Sequence, residues 1–460
     1  MPSGFYWDLL LLVPLLGGYS RLGARGQNAL LLATAAALLA SWDPRFPLFL
    51  AVTTLIDYGI GRQLAWERPD AQRLAWLLIG VAFDVGMLAA FRYLPSTINR
   101  APVPPFLLLV APVGVSFYTL ARLTHTLDAY YKLERPCADW FAFLTFTSFF
   151  PLLISGPIER AGKLLPVLAR RREVTLAGIY EGTWLILSGV FQKVFIADRC
   201  AVLCQKFAPI HAGSWLTALG VVAYSFQIFC DFSGYSDVAR GIARLFGVHV
   251  TKNFVAPYAS LNLAEYWQRW HVSLSSWLDD YIYKPSSMAL RDFGTGGIVA
   301  AAFLTFFVSA LWHGRGLTFL CWGALHATGL SVLVATRKLR KQLRKSLPDA
   351  IWRATARGLT FGFVCAGLVF FRAPSLSAAL STFAELGHPL HALVPDSYDL
   401  LELSCLGLGV WAIHALQNQP NESAWFFERP VWVRGLCYAA MLFCIARLPG
   451  ETQRFIYAQF

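Results

Sequence analysis

Apolar runs long enough to cross a bilayer recur along almost the whole chain, and that repetition constrains the fold more than any single motif. A membrane-spanning helix needs about 20 mostly apolar residues. Inside lipid the backbone must satisfy its own hydrogen bonds, which leaves helices or closed barrels. Candidate spans cover residues 5–19, 29–42, 46–61, 74–91, 105–121, 178–196, 216–232, 296–312, 317–336, 359–371, 400–415 and 431–445. A chain of 460 residues that is 56% hydrophobic and only 14% charged, with a mean hydropathy of +0.50, is too apolar for a soluble domain of that length. We therefore expect an all-α, polytopic membrane protein with roughly ten or more helices.

Charge placement gives the orientation. The first apolar run has no basic leading region and no small-residue cleavage site, so it is expected to stay as a membrane helix. A formal charge of +12 raises nucleic acid as a partner, but the basic residues gather in short loops between apolar runs. That placement fits the positive-inside rule instead, and no nucleic-acid partner is expected. Arg160, Lys163, Arg170, Arg171 and Arg172 form one cluster; Arg337, Lys338, Arg340, Lys341, Arg344 and Lys345 form another. Both are placed on the cytoplasmic face, against anionic membrane lipid headgroups. The nine cysteines lack paired metal-type spacing, and Cys230, Cys321, Cys365 and Cys444 lie inside apolar windows, as inert buried thiols do. Neither a metal nor a bound cofactor is expected.

Some segments do not resemble ordinary spans. WFAFLTFTSFFPLLISGP, at 140–157, is interrupted by Pro151 and ends in SGP, so it is expected to be broken or re-entrant and shielded by protein. The short mixed segment 234–247 is expected to be irregular too. No fixed-period repeat or linker appears, which leaves one integral domain over 1–460.

Three polar features interrupt the apolar pattern. The first is EYWQRWHVSLSSWLDDYIYKP, at 265–285. On a wheel at about 100° per residue, Trp267, Trp270, Leu274, Trp277, Leu278 and Tyr281 share one face, while Arg269, Ser273, Ser276, Asp280 and Tyr283 share the other. His271 falls at the edge of the aromatic face. An interfacial amphipathic helix explains the pattern equally well, except that an imidazole turned to the apolar side needs a partner or a task. The second feature is FFVSALWHGRG at 306–316, where His313 ends a long apolar run just before two glycines. His326 follows thirteen residues later; on an unbroken helix the two would lie about 20 Å apart, so shared chemistry requires a break at 314–316. The third is YSFQIFCDFSGYSDVARG at 224–241, which groups Asp231, Ser233, Tyr235, Ser236 and Asp237. A carboxylate at mid-membrane costs about 2.5–3.5 kcal/mol, so Asp231 should face a polar cavity or pair with a base such as Arg240 or Arg269.

At these residues the chain resembles the membrane-bound O-acyltransferases, in the bacterial branch that includes alginate O-acetylation proteins and the teichoic-acid D-alanylation membrane protein. Seven collinear segments carry the resemblance: SWDPRFPLFL at 41–50, PVGVSFYTL at 112–120, SFFPLLISGPIER at 148–160, FQKVFIAD at 191–198, DFSGYSDVARGIARLFG at 231–247, YWQRWHVSLSSWLDDYIYKP at 266–285, and SALWHG with WGALH. The resemblance implies a helical fold around a funnel or tunnel, with N-terminal helices over 1–135, a catalytic core over 136–336 and C-terminal helices over 337–460. It implies His313 as the catalytic residue, His271 as a second functional residue on a cytoplasmic re-entrant helix, and a less defined role for His326. Asp231, Ser233, Tyr235, Trp270 and Trp312 would support the funnel. The chain departs from the family pattern at Asp279, where a basic residue is usual, and at Ser286 and Ser287, where a glycine pair is usual.

The implied chemistry is acyl transfer in a bacterial inner membrane. A neutral imidazole, His313, would take the proton of a hydroxyl as it attacks an acyl thioester such as acetyl-CoA, supplied from the cytoplasm as cosubstrate. The acceptor would be a cell-surface polysaccharide or a periplasmic acyltransferase partner. D-alanyl transfer from an acyl-carrier protein to teichoic acid is the alternative inside the family; a non-catalytic transporter is the alternative outside it.

Overall fold

Every regular element among the described residues is helical, as backbone that must pair with itself in lipid requires. The computed structural model describes residues 11–94, 111–207, 214–387, 396–451 and 453; the first parts of the runs at 5–19 and 105–121 lie outside them. Among the described residues, six helices are long and apolar enough to cross a membrane: Asp70–Arg92, Ser214–Leu245, Thr295–His313, Leu317–Ala335, Asp349–Arg372 and Ser397–Gln417. The windows at 29–42, 46–61, 178–196 and 431–445 are also largely helical, within Ala24–Trp42, Phe46–Gln63, Leu176–Phe191 and Val431–Arg447. Leu359, Leu401, Leu408, Trp411 and Trp432 are exposed on these helices, as suits surfaces solvated by lipid rather than water.

The chain divides into two compact units, Met1–Ile186 with Ala239–Thr251, and Leu187–Val238 with Lys252–Phe460. In the first, Tyr19, Phe143, Phe146, Phe149 and Phe246 build an aromatic core with Leu31, Leu164 and Leu168. The expected break at Pro151 is present. Helix Trp140–Thr147 starts on Asp139, whose carboxylate accepts from the Phe141 N–H at 2.9 Å, and a 3-10 turn at Phe150–Leu152 follows. This irregular backbone is shielded by protein, with Phe149, Leu153 and Ser155 all buried. Gly114 permits it: its φ is 74°, and a Cβ there would stand 1.8 Å from the Leu153 carbonyl oxygen.

Charges inside this unit are paired, as a low-dielectric interior demands. Arg122, on helix Val115–Tyr130, reaches Asp57 at 2.6 Å and Asp84 at 2.8 Å and donates to the Thr53 hydroxyl at 2.6 Å. Arg172 departs from its expected place in a headgroup-facing cluster. It is buried, and its guanidinium donates to the Tyr19 hydroxyl and to the Leu168 carbonyl.

The segment expected to be irregular at 234–247 is instead helical as far as Leu245, because Ser214–Leu245 runs unbroken through it. The polar residues there are adequate helix formers, and the two interior glycines, Gly234 and Gly241, cost only about 1 kcal/mol each. In the second unit, the basic helix Arg337–Ser346 joins Leu317–Ala335 to Asp349–Arg372. It exposes Leu339 and Leu343 along with its cations, the pattern of a helix lying in a membrane interface.

Candidate active site

The site is built on a helix reversal. Helix Thr295–His313 stops at His313, where Gly314 is extended, and a Cβ on Gly314 would stand 1.9 Å from the Phe319 ring. The chain turns, and Leu317–Ala335 packs back along its predecessor. The break required at 314–316 is therefore present, and it brings His313 and His326 into the lining of one cavity with Tyr266, Trp267, Trp270, Trp322 and Phe371. The cavity is partly open and measures about 20 Å³, room for about one water molecule.

Aromatic rings fix both imidazoles. Trp322 meets His313 at 5.0 Å and His326 at 5.1 Å between ring centroids. His313 also meets Trp312 at 4.9 Å and Phe371 at 5.2 Å, whereas His326 stacks on Phe306 at 5.7 Å. Nδ1 of His326 is buried and has no hydrogen-bond partner among the described residues. Gly367 leaves space for this ring: a Cβ there would lie 2.8 Å from His326 Nε2. Gly367→Ala should therefore displace His326 or the helix behind it, at a cost of about 1–3 kcal/mol. We expect lower turnover from a protein that still purifies as a folded species, measured by acyl transfer alongside a melting curve; unchanged values in both would show that the ring is not held as described.

The stretch at 265–285 is not one helix, so the single wheel is corrected. Helix Leu263–Arg269 begins on Asn262, whose side chain accepts from the Glu265 N–H at 3.0 Å, and Trp270 is already extended. His271 has φ 44°, uncommon for a non-glycine residue, and opens a second short helix, Val272–Leu278. Tertiary hydrogen bonds impose the break. The Val255 N–H donates to the Arg269 carbonyl at 3.0 Å, the Val272 N–H to the Asn253 carbonyl at 2.9 Å, and the Ser273 N–H to the Asn253 side chain at 3.1 Å. A π-helical turn at Asp279–Tyr283 follows.

His271 does sit on the buried side, as its place on the wheel implied. Its Nδ1 accepts from the Leu274 N–H at 3.3 Å, so in the neutral ring Nε2 carries the proton. Burial holds this imidazole below its ordinary range. Its ring lies edge-on to Phe232 at 4.6 Å and to Trp312 at 6.3 Å. Trp312 thus touches both His271 and His313, and His271 is not among the residues lining the cavity that His313 and His326 share.

The carboxylate helix is engaged elsewhere in the second unit. Asp231 pairs with Lys193, at 2.7 Å, and Lys193 also holds Asp198 at 2.8 Å. Arg269 pairs with Glu265 at 2.8 Å. The Ser233 hydroxyl accepts from Gln417 at 3.0 Å, Ser236 from Asn253 at 3.0 Å, and Asp237 from Gln192 at 3.0 Å, while Tyr235 is half-buried on the same helix. Lys193, which sequence reasoning passed over, stands in a π-helical turn at Gln192–Ala197. A lone lysine in the apolar context of FQKVFIAD, five residues before an aspartate, was the available signal. His414 was also missed, and it is structural: its Nδ1 pairs with the Val410 carbonyl at 2.9 Å and its Nε2 accepts from the Tyr258 N–H at 3.2 Å.

Long apolar helices, one pair of which reverses to bring two imidazoles to one aromatic cavity, mark a multi-pass membrane protein. The chain belongs to the membrane-bound O-acyltransferase family, whose model matches residues 61–371, and it is accordingly an acyltransferase. A probable alginate O-acetylase of Pseudomonas putida is 33% identical over 395 residues, 82% of this chain and 78% of that protein. A peptidoglycan O-acetyltransferase of Helicobacter pylori is 30% identical over 411 residues, 79% of this chain and 75% of that protein. A teichoic acid D-alanyltransferase of Bacillus subtilis is 28% identical over 280 residues, 57% of this chain and 69% of that protein.

Proposed function

We propose that this chain moves an acyl group, in the first instance acetyl, from a thioester donor supplied by the cytoplasm to a hydroxyl of a cell-surface polysaccharide. A periplasmic acyltransferase partner that completes the transfer is an equivalent acceptor in this reading, and a bacterial inner membrane is the setting. The observation that carries the reading is the convergence of His313 and His326 on one cavity at the helix break. The names of the alginate and peptidoglycan relatives support acetyl as the group and a polymer hydroxyl as the acceptor. His313 takes the hydroxyl proton as the oxygen attacks the acyl carbon and later gives it to the leaving group. His326 lines the same space and His271 stands one indole away, each as a positioning or accessory group.

D-alanyl transfer from an acidic acyl-carrier protein is the weaker reading. The teichoic-acid relative matches a smaller share of the chain, and Lys284 is held by both Asp279 and Asp280 at 2.8 Å, which leaves an acidic lip to repel such a carrier. Purified chain in sealed vesicles, given acetyl-labelled thioester outside and a polysaccharide acceptor inside, should label the acceptor. Label that crosses as intact donor without reaching a hydroxyl would show a transporter instead.

A further inference from the structure

Trp267 lies on the short helix Leu263–Arg269 and lines the cavity with His313 and His326. Its ring is fixed edge-on by Phe306 at 5.2 Å, Trp322 at 5.9 Å and His326 at 5.0 Å. Its indole Nε1 is buried and has no hydrogen-bond acceptor among the described residues. A buried N–H is costly to leave unpaired, so one retained beside a reaction site calls for a reason. The indole is a donor only and does not ionise in the working pH range. Here it is held among aromatic rings, and a donor fixed in advance is what best stabilises charge that develops during a reaction. Trp312, which the resemblance placed beside the funnel, is not among the residues lining the cavity.

We propose that the Trp267 Nε1–H is the donor that stabilises the oxyanion of acyl transfer. The assignment rests on the reading of His313 as the base. The hydroxyl oxygen bonds to the acyl carbon and its proton passes to His313. The carbonyl π pair moves onto oxygen, where the Trp267 N–H receives it. When that pair returns, the carbon–sulfur bond breaks, and the thiolate leaves with the proton that His313 gives up. Attack and collapse thus balance in atoms and electrons, and Trp267 exchanges no proton.

The discriminating experiment replaces Trp267 with benzothienylalanine, which keeps the bicyclic shape and substitutes sulfur for N–H, alongside Trp267→Phe. We expect kcat to fall about 10²-fold in the isostere, with KM within about twofold and an unchanged melting temperature. Trp267→Phe should lower kcat at least as far. An isostere with unchanged kcat, or with a raised KM alone, would overturn the assignment, because a packing role is insensitive to this exchange. His313→Ala, measured in parallel, separates the two ideas. An inactive His313→Ala beside a fully active isostere removes the Trp267 assignment alone, whereas an active His313→Ala removes the base on which it rests.

Discussion

Replacing His313 with alanine is expected to lower acyl transfer by about 10²–10⁴-fold, the usual contribution of a positioned general base. The chain should still insert and fold, because His313 is the last residue of its helix and the stop that follows is set by Gly314 and Phe319. Loss of the ring leaves space among Trp312, Trp322 and Phe371, so some stability will go with it. His313→Gln answers that objection, because it keeps most of the volume and a hydrogen-bonding end but cannot serve as a base near neutral pH. Both variants should be inactive, and the glutamine one should melt close to the parent. Added imidazole should restore part of the alanine variant's activity by entering the enlarged cavity and none of the glutamine variant's. Turnover within threefold of the parent in either variant would end the general-base reading. Loss of folded protein in both would instead make His313 a packing residue.

The sequence was most legible where local chemistry decides the structure. Apolar runs announced helices, Pro151 announced a broken segment, and the glycines after His313 announced the reversal that lets His313 and His326 meet. What it concealed was settled by groups far along the chain. A wheel assumes an unbroken 3.6-residue period, but the hydrogen bonds that break the stretch at His271 come from Asn253 and Val255. Asp231 plainly needed a cation, yet a sequence gives no distance by which to find Lys193, 38 residues earlier. Arg172 was placed in a loop by its basic neighbours and is buried because Tyr19, more than 150 residues earlier, presents a hydroxyl to it. The same reasoning separates the histidines. Ring chemistry makes His414 and His326 alike, and only their surroundings show that both nitrogens of His414 are engaged while Nδ1 of His326 has no partner among the described residues.

Lys193→Met should destabilise the second unit by about 3–5 kcal/mol, the usual cost of breaking a buried ion pair. The Lys193 ammonium spends its three protons on Asp198, Asp231 and the Gln453 carbonyl, at 2.8, 2.7 and 3.0 Å. Methionine matches the stem in length but removes the cation that the two buried carboxylates share. It also frees the segment at 450–453, which then keeps the Gly450 N–H to Val194 carbonyl bond at 3.1 Å. The cost therefore lies in the lost cation rather than in lost packing. Lys193→Met with Asp198→Asn and Asp231→Asn removes the charges together, and it should recover most of the melting temperature in detergent, because a buried cluster exchanged for neutral groups of like volume is often close to neutral. Recovery would attribute the loss to charge, whereas a triple variant that melts as low as Lys193→Met would place it in the packing of the π-helical turn. Transfer activity of the recovered triple variant then decides what Asp231 is for. Activity near that of the parent makes the cluster a structural clamp that holds the turn at Gln192–Ala197 against the carboxylate helix. A folded but inactive triple variant makes it part of the reaction path.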